Sequence, residues 1–212
     1  MRAKLDSLRD IIAFLDPAGR AKPGQLKKVR ANAAIVVIGA DDLRRIFVLE
    51  CWAGRPGAIG MAKKVLEINE RWHPRILGCE ANAMQELYAD MLQHEAKRAG
   101  VKLPLVAVSQ STNVEKPFRI RTTMQPVIGF GRLVLRADMF DLTQELTSFP
   151  MGQVVDRIDA LASAVSLVPS RSHTYRRSEE RDGLAAYLRE SGADPRAIES
   201  RLADWDRQHA HA

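Results

Sequence analysis

The sequence predicts an α/β fold: a central mixed sheet of about five to six strands, flanked by helices and followed by a helical C-terminal tail. Three observations carry that expectation. Three apolar runs follow one another closely at the start of the chain, at the spacing of an antiparallel meander. Helical and strand-like segments then alternate, as they do where crossovers build parallel strand pairs. From Pro169 onward the composition changes to charged, amphipathic segments.

Residues 11–15 form a short apolar run stopped by Asp16-Pro17, which reads as a buried strand ended by proline. Residues 18–32 are rich in Gly, Pro, Lys and Arg and read as a loop. The run AAIVVIGA over 33–40 is continuous and β-branched, the pattern of a strand covered on both faces. Asp41-Asp42 turns the chain, and residues 45–52 return as a third strand. A loop at 54–60 leads to a helix over 60–72, where Met61, Ala62, Val65, Leu66 and Ile68 recur at helical spacing. RILGCE over 75–80 makes a short fourth strand. The clearest helix spans 82–98, with Met84, Leu87, Tyr88, Met91 and Leu92 as its stripe and Gly100 beyond its end.

LPLVAV over 103–108 is a fifth strand. Residues 111–131 are polar, basic and interrupted by Pro117, Pro126 and Gly129, so only a short helix over 119–124 is expected there. RLVLR over 132–136 is a short extended piece, and 141–147 a helix ending at Phe149-Pro150. A last core helix over 153–167 carries Val154, Val155, Ile158, Leu161, Ala162 and Val165 on one side. Charged helices are expected at 178–190 and 195–208. Three consecutive strands followed by alternating helices and strands is the RNase H-like arrangement. It divides the chain into a main domain over 1–168 and a charged helical appendage over 169–212.

The chain has 212 residues, 46% of them hydrophobic, enough for a substantial core. No apolar run reaches the roughly 18–20 residues of a membrane span, and the start lacks the basic-then-apolar pattern of a secretory signal. No membrane partner and a cytoplasmic location are expected. Cys51 and Cys79 are too few for a disulfide framework or a multi-cysteine zinc site and read as buried thiols. The five histidines are scattered without zinc-ligand spacing, and Ser109, Ser111 and Thr112 belong to no Ser-His-Asp arrangement. Trp52 and Trp72 read as core or rim residues.

The net charge is +6. Its distribution says more than the sum. Arg20, Lys22, Lys27, Lys28 and Arg30 form one basic stretch, and Lys116, Arg119, Arg121, Arg132 and Arg136 a second. The tail's charges cancel, so the excess lies in the main domain. Solubility explains such charge as well as a polyanionic partner does. If the partner is DNA, Lys27, Lys28, Arg30, Lys116, Arg119 and Arg121 are the candidate phosphate contacts.

The acids carry the strongest chemical message. Asp16 and Glu80 close buried strands, where a carboxylate is costly unless something pairs with it. If the first and fourth strands are neighbours, both acids reach one crevice at the strand ends. Asp156 and Asp159 stand about 60° apart on the last core helix, on the flank of its apolar stripe. Carboxylates converging there would repel one another, and a hard divalent cation resolves the repulsion. Two such ions, Mg²⁺ or Mn²⁺, would suit phosphodiester hydrolysis. Each acid also has a plainer role open to it: Asp16 as a turn residue, Glu80 as a helix cap, Asp156 and Asp159 as solvated helix residues.

Seven segments in order resemble the C-terminal nuclease domain of phage large terminases. IAFLDPA at 12–18 resembles that family's opening strand with its first metal-binding Asp. AIVV at 34–37 and IFVL at 46–49 resemble the next two strands. GCEANAMQ at 78–85 resembles the segment carrying the second acid. KPFRI at 116–120, followed by GFG at 129–131, is similar to a Lys-x-x-Arg-Ile region. ELTSFPMG at 145–152 resembles a Glu-Leu-x-x-Phe-Pro-x-Gly segment, and VDRIDALA at 155–162 the closing Asp-Asp-x-x-Asp-Ala-Leu helix.

The resemblance covers about residues 10–168. It implies an RNase H-like fold, Mg²⁺ or Mn²⁺ held by Asp16, Glu80, Asp156 and Asp159, and a divalent-metal-dependent endodeoxyribonuclease. The substrate implied is double-stranded DNA, cut from phage genome concatemers during packaging in the cytoplasm of a bacterial host. An ATPase motor domain, a small terminase subunit and a portal are the implied partners. There are departures. Val155 stands where the family often has Asp, which makes Asp156 the principal third acid and Asp159 its neighbour. Asn32 stands where many members have Asp. No G-x-x-x-x-G-K-[S/T] phosphate loop occurs, so a nuclease fragment, a split gene product or an excised domain is expected. Two other readings remain: a catalytically inactive DNA-binding or packaging-assembly module, against which Asp16, Glu80 and Asp156 speak, and another RNase H-like nuclease such as a Holliday-junction resolvase or transposase core. The Phe-Pro-x-Gly segment favours terminase.

Overall fold

The computed structural model describes residues 8–17, 32–80, 86–109, 114–152 and 154–169, and in the tail 181, 184, 185, 188, 189 and 194–209. The basic loop expected over 18–32 lies outside the described residues except for Asn32. So do the start of the 82–98 helix and most of the 178–190 segment. The chain forms two compact units, Met1–Val168 and Pro169–Ala212.

The first unit is built on a six-stranded mixed sheet of order β5-β4-β1-β2-β3-β6. Strands β1 (Leu8–Asp16), β2 (Ala33–Asp41) and β3 (Ile46–Gly54) form the antiparallel meander. Between β2 and β3, Arg44 takes a left-handed conformation at φ 58°. The Asp41 carboxylate accepts the Arg45 N–H at 2.8 Å, closing the turn. Helix α1 (Gly57–Trp72) then crosses back to β4 (Ile76–Glu80), which lies parallel to β1. Helix α2 (Glu86–Arg98) leads to β5 (Leu105–Val108), parallel to β4. Helix α3 (Lys116–Gly129) leads to the two-residue β6 (Leu133–Val134) beside β3. Helices α4 (Phe140–Ser148) and α5 (Asp156–Ser166) complete the unit. In the second unit α6 (Pro195–His209) packs Ile198 and Leu202 with Ala185 and Leu188.

Every residue of β2 is buried, as its unbroken apolar run requires, because helices cover both faces of the sheet. Strand alternation divides the core in two. Ile12, Phe14, Val36, Ile38 and Val48 meet α3, α4 and α5 on one face. Ala13, Leu15, Ile35, Val37, Leu77 and Cys79 meet α1 and α2 on the other. Gly78 on β4 matters for the first face. A Cβ there would come within 2.5 Å of Leu167 and 2.7 Å of Phe14, so only glycine lets the end of α5 settle this close.

Two sequence expectations need correction. Helix α1 begins at Gly57, inside the segment read as a loop. Helix α3 runs 14 residues, where only a short 119–124 helix was expected. Pro117 sits in its first turn, where an N–H has no intrahelical partner to lose, and Pro126 falls in the last turn, where one lost bond interrupts little.

Candidate active site

The register of β1 and β4 fixes the first pair of acids. Phe14 lies opposite Gly78 and Leu15 opposite Cys79, so Asp16 and Glu80 end neighbouring parallel strands side by side. Alternation does the rest. Ile12 and Phe14 belong to the face covered by α3 and α5, and so does Ile76 on β4. Asp16 and Glu80, two-residue steps further on, turn toward that same face. Cys79 points the other way, and burial pushes its thiol up to about 12.

Helix α5 brings the second pair. Eight of its residues are buried, Asp156 and Asp159 among them. The Asp156 carboxylate accepts the Asn32 backbone N–H at 2.9 Å, which ties the start of α5 to the residue before β2. Asp159 is held by two cations from α3. Lys116 Nζ stands 2.7 Å from its Oδ2, and Arg119 donates to its Oδ1 at 2.5 Å. Arg119 also donates to Ser163 Oγ at 3.1 Å, one turn along α5.

The electrostatics join the groups into one cluster. Burial and the Asp159 charge push the Asp16 carboxyl up; Lys116 opposes them, Glu80 and Asp156 add to them, and the carboxyl settles at about 8. Burial works against the Lys116 ammonium, but Asp159 and then Asp16 and Asp156 raise it above its ordinary value.

Among the described residues no three His, Cys, Asp or Glu side chains already form a group set to hold a metal ion. Asp156 is engaged by a backbone N–H, and Asp159 by Lys116 and Arg119. The donor chemistry nonetheless fits a hard divalent cation. It consists of carboxylate oxygens only, and burial together with the neighbouring carboxylates holds the Asp16 proton, a balance that a bound cation would reverse.

Sequence reasoning missed the residues that hold α5 in place. Val155, at the N-cap of α5, gives no side-chain cap. Glu145 on α4 caps it instead, accepting the N–H groups of Arg157 at 2.8 Å and Ile158 at 3.1 Å and pairing with the Arg157 guanidinium at 2.9 Å. Glu145 stands in the ELTSFPMG segment, but nothing in its local pattern announces a cap for a helix eleven residues on. Lys27, Lys28 and Arg30 lie outside the described residues. Arg121 is exposed, about 200° around α3 from Arg119 and so turned from α5. Trp72 donates from Nε1 to Glu50 at 2.8 Å and, with Trp52, packs against the α1–α2 side of the core. No helix among the described residues is long and apolar enough to cross a membrane.

No protein-family model matches the sequence, and no curated protein matches it significantly. Solved structures do align with it. The crystal structure of the HK97 bacteriophage large terminase aligns with a TM-score of 0.50 at 15% identity, over 77% of this chain and 41% of that one. The fowlpox virus resolvase in complex with substrate Holliday junction DNA aligns at 0.46 and 10% identity, over 73% of this chain and 96% of that one. RuvC of T. thermophilus in complex with a Holliday junction substrate aligns at 0.43 and 16% identity, over 74% and 91%. The fold is RNase H-like, the arrangement the element order predicted.

Proposed function

We propose that the chain is a divalent-metal-dependent DNA endonuclease whose catalytic carboxylates are Asp16, Glu80 and Asp156, and that it cuts phage genome concatemers during packaging. One observation carries this reading. Two acids end adjacent parallel strands on the sheet face where α5 adds Asp156 and Asp159, beside a lysine and an arginine from α3. The likeness in fold to the HK97 large terminase, together with the sequence resemblance, favours packaging; on that reading a motor domain, a small subunit and a portal are the partners.

Asp16, Glu80 and Asp156 would hold Mg²⁺ or Mn²⁺. When bound, one or two such ions supply Lewis-acid activation for in-line displacement at phosphorus. The chain's own residues do the remaining work. Asn32 and Glu145 fix where α5 presents Asp156. Lys116 brings positive charge to a cluster that would otherwise repel a phosphate.

Supercoiled plasmid provides the test. Nicking is expected with Mg²⁺ or Mn²⁺ and little sequence preference, and at least about a hundredfold less with Asp16→Asn. Equal nicking in EDTA, or by Asp16→Asn, would falsify the assignment. Preferential cutting of a four-way junction over linear duplex would move the reading to a junction resolvase.

A further inference from the structure

Asp159 was expected among the metal ligands, but its surroundings give it other work. Its side chain is 5% exposed and both of its oxygens are engaged, Oδ2 by Lys116 and Oδ1 by Arg119. A metal ion on this carboxylate would stand against the Lys116 and Arg119 charges that already neutralise it. The two cations are not equivalent. Arg119 is 20% exposed and spans Asp159 and Ser163, so it braces α3 against α5. Lys116 is 41% exposed and reaches the same carboxylate from the first turn of α3. Asp159 and Asp156 share the first turn of α5, so Lys116 stands at the acid cluster with part of its surface open to an incoming ligand.

We propose that Asp159 is a positioning residue and not a metal ligand: it pins Lys116 beside Asp16 and Asp156, where the ammonium receives the phosphate to be cut. The inference rests on the nuclease reading above and sharpens it. Positive charge at the site then comes from two sources, a divalent ion on Asp16, Glu80 and Asp156, and a lysine on Asp159. A lysine is a compact point charge with three donors, suited to a phosphate oxygen, and it needs a fixed anchor because its stem is flexible.

Two measurements separate this from a ligand role. The first is Mn²⁺ binding by calorimetry without DNA. Asp159→Asn should keep Mn²⁺ affinity within about threefold of wild type, while Asp16→Asn and Asp156→Asn lose at least about tenfold. The second is a double-variant cycle on cleavage. Asp159→Asn and Lys116→Met should each lower kcat/KM, and the double variant should be no worse than the poorer single one, because Asp159 acts through Lys116.

An Mn²⁺ loss in Asp159→Asn as large as in Asp16→Asn, or fully additive losses in the cycle, would overturn the proposal while leaving the nuclease reading intact. If Asp159→Asn does not fold, Lys116→Met alone decides. Unchanged cleavage in that variant overturns the proposal, and a loss of cleavage with Mn²⁺ affinity retained supports it. A wild-type protein that binds no Mn²⁺ overturns the nuclease reading itself and this inference with it.

Discussion

At the scale of single residues, Asp16 is where structure and solution behaviour meet most directly. Folded Asp16 keeps its proton to about pH 8, whereas an unfolded aspartate loses it near its ordinary 3.8. Between those values the folded chain carries the extra proton. Its contribution to stability is therefore complete at the acid end and is lost as pH rises toward 8. In EDTA, the denaturation midpoint of wild type relative to Asp16→Asn should fall between about pH 5 and pH 8; a flat difference would show that Asp16 is not held in this way. Divalent ions demand the ionised carboxylate, so their affinity should rise over the same range. Where Asp16 and Glu80 sit in the elements was legible in the sequence, because a carboxylate directly after an apolar strand is conspicuous. Their partners were not. The Lys116–Asp159 pair joins residues on two different helices, and only the packing of α3 on α5 brings them together.

Among the elements, α5 carries the most. It fills the sheet face with Ile158, Ala160, Leu161, Ala162 and Ala164 and presents two acids at its first turns, yet it begins without a cap of its own. Glu145 supplies that cap from α4 and is itself buried. Replacing it with alanine strands two backbone N–H groups and leaves the Arg157 guanidinium with Asp141 as its carboxylate partner. Glu145→Ala should cost about 2–4 kcal/mol, read as a lowered denaturation midpoint, and should depress cleavage by displacing Asp156. The strands were the most legible elements, since β-branched runs bounded by Asp-Pro, Asp-Asp and Gly leave little choice. Helix α3 was under-read because its two prolines look like breakers until their positions in the first and last turns are known. Gly78 gave no hint at all, because the clearance it provides involves Leu167, far away in sequence.

Over the whole molecule, charge is divided as sharply as structure. Residues 169–212 hold eight basic and eight acidic side chains, so the net +6 belongs to the first unit. The tail also pairs its own charges, as Arg181 and Asp206 do at 2.9 Å. DNA affinity is therefore expected to reside in 1–168. Its logarithm should fall linearly with log salt, and Lys116→Ala should reduce that slope by about one while weakening unrelated sequences equally. A chain ending at Val168 should keep the wild-type slope; loss of the slope with the tail would place the DNA contacts there instead. This asymmetry could be read from the sequence by counting, whereas the geometry around the acids required the fold.

The order in which the chain is made has a consequence of its own. The meander of β1, β2 and β3 pairs strands that are neighbours in sequence, so it can form early on the ribosome. The third acid arrives only with α5, the last element of the first unit, and the sheet face beneath it stays uncovered until then. A nascent or prematurely terminated chain therefore lacks both the closed core and the complete set of carboxylates. On the nuclease reading, a chain laid out this way would leave the genome of the cell that translates it uncut until synthesis of the domain is finished.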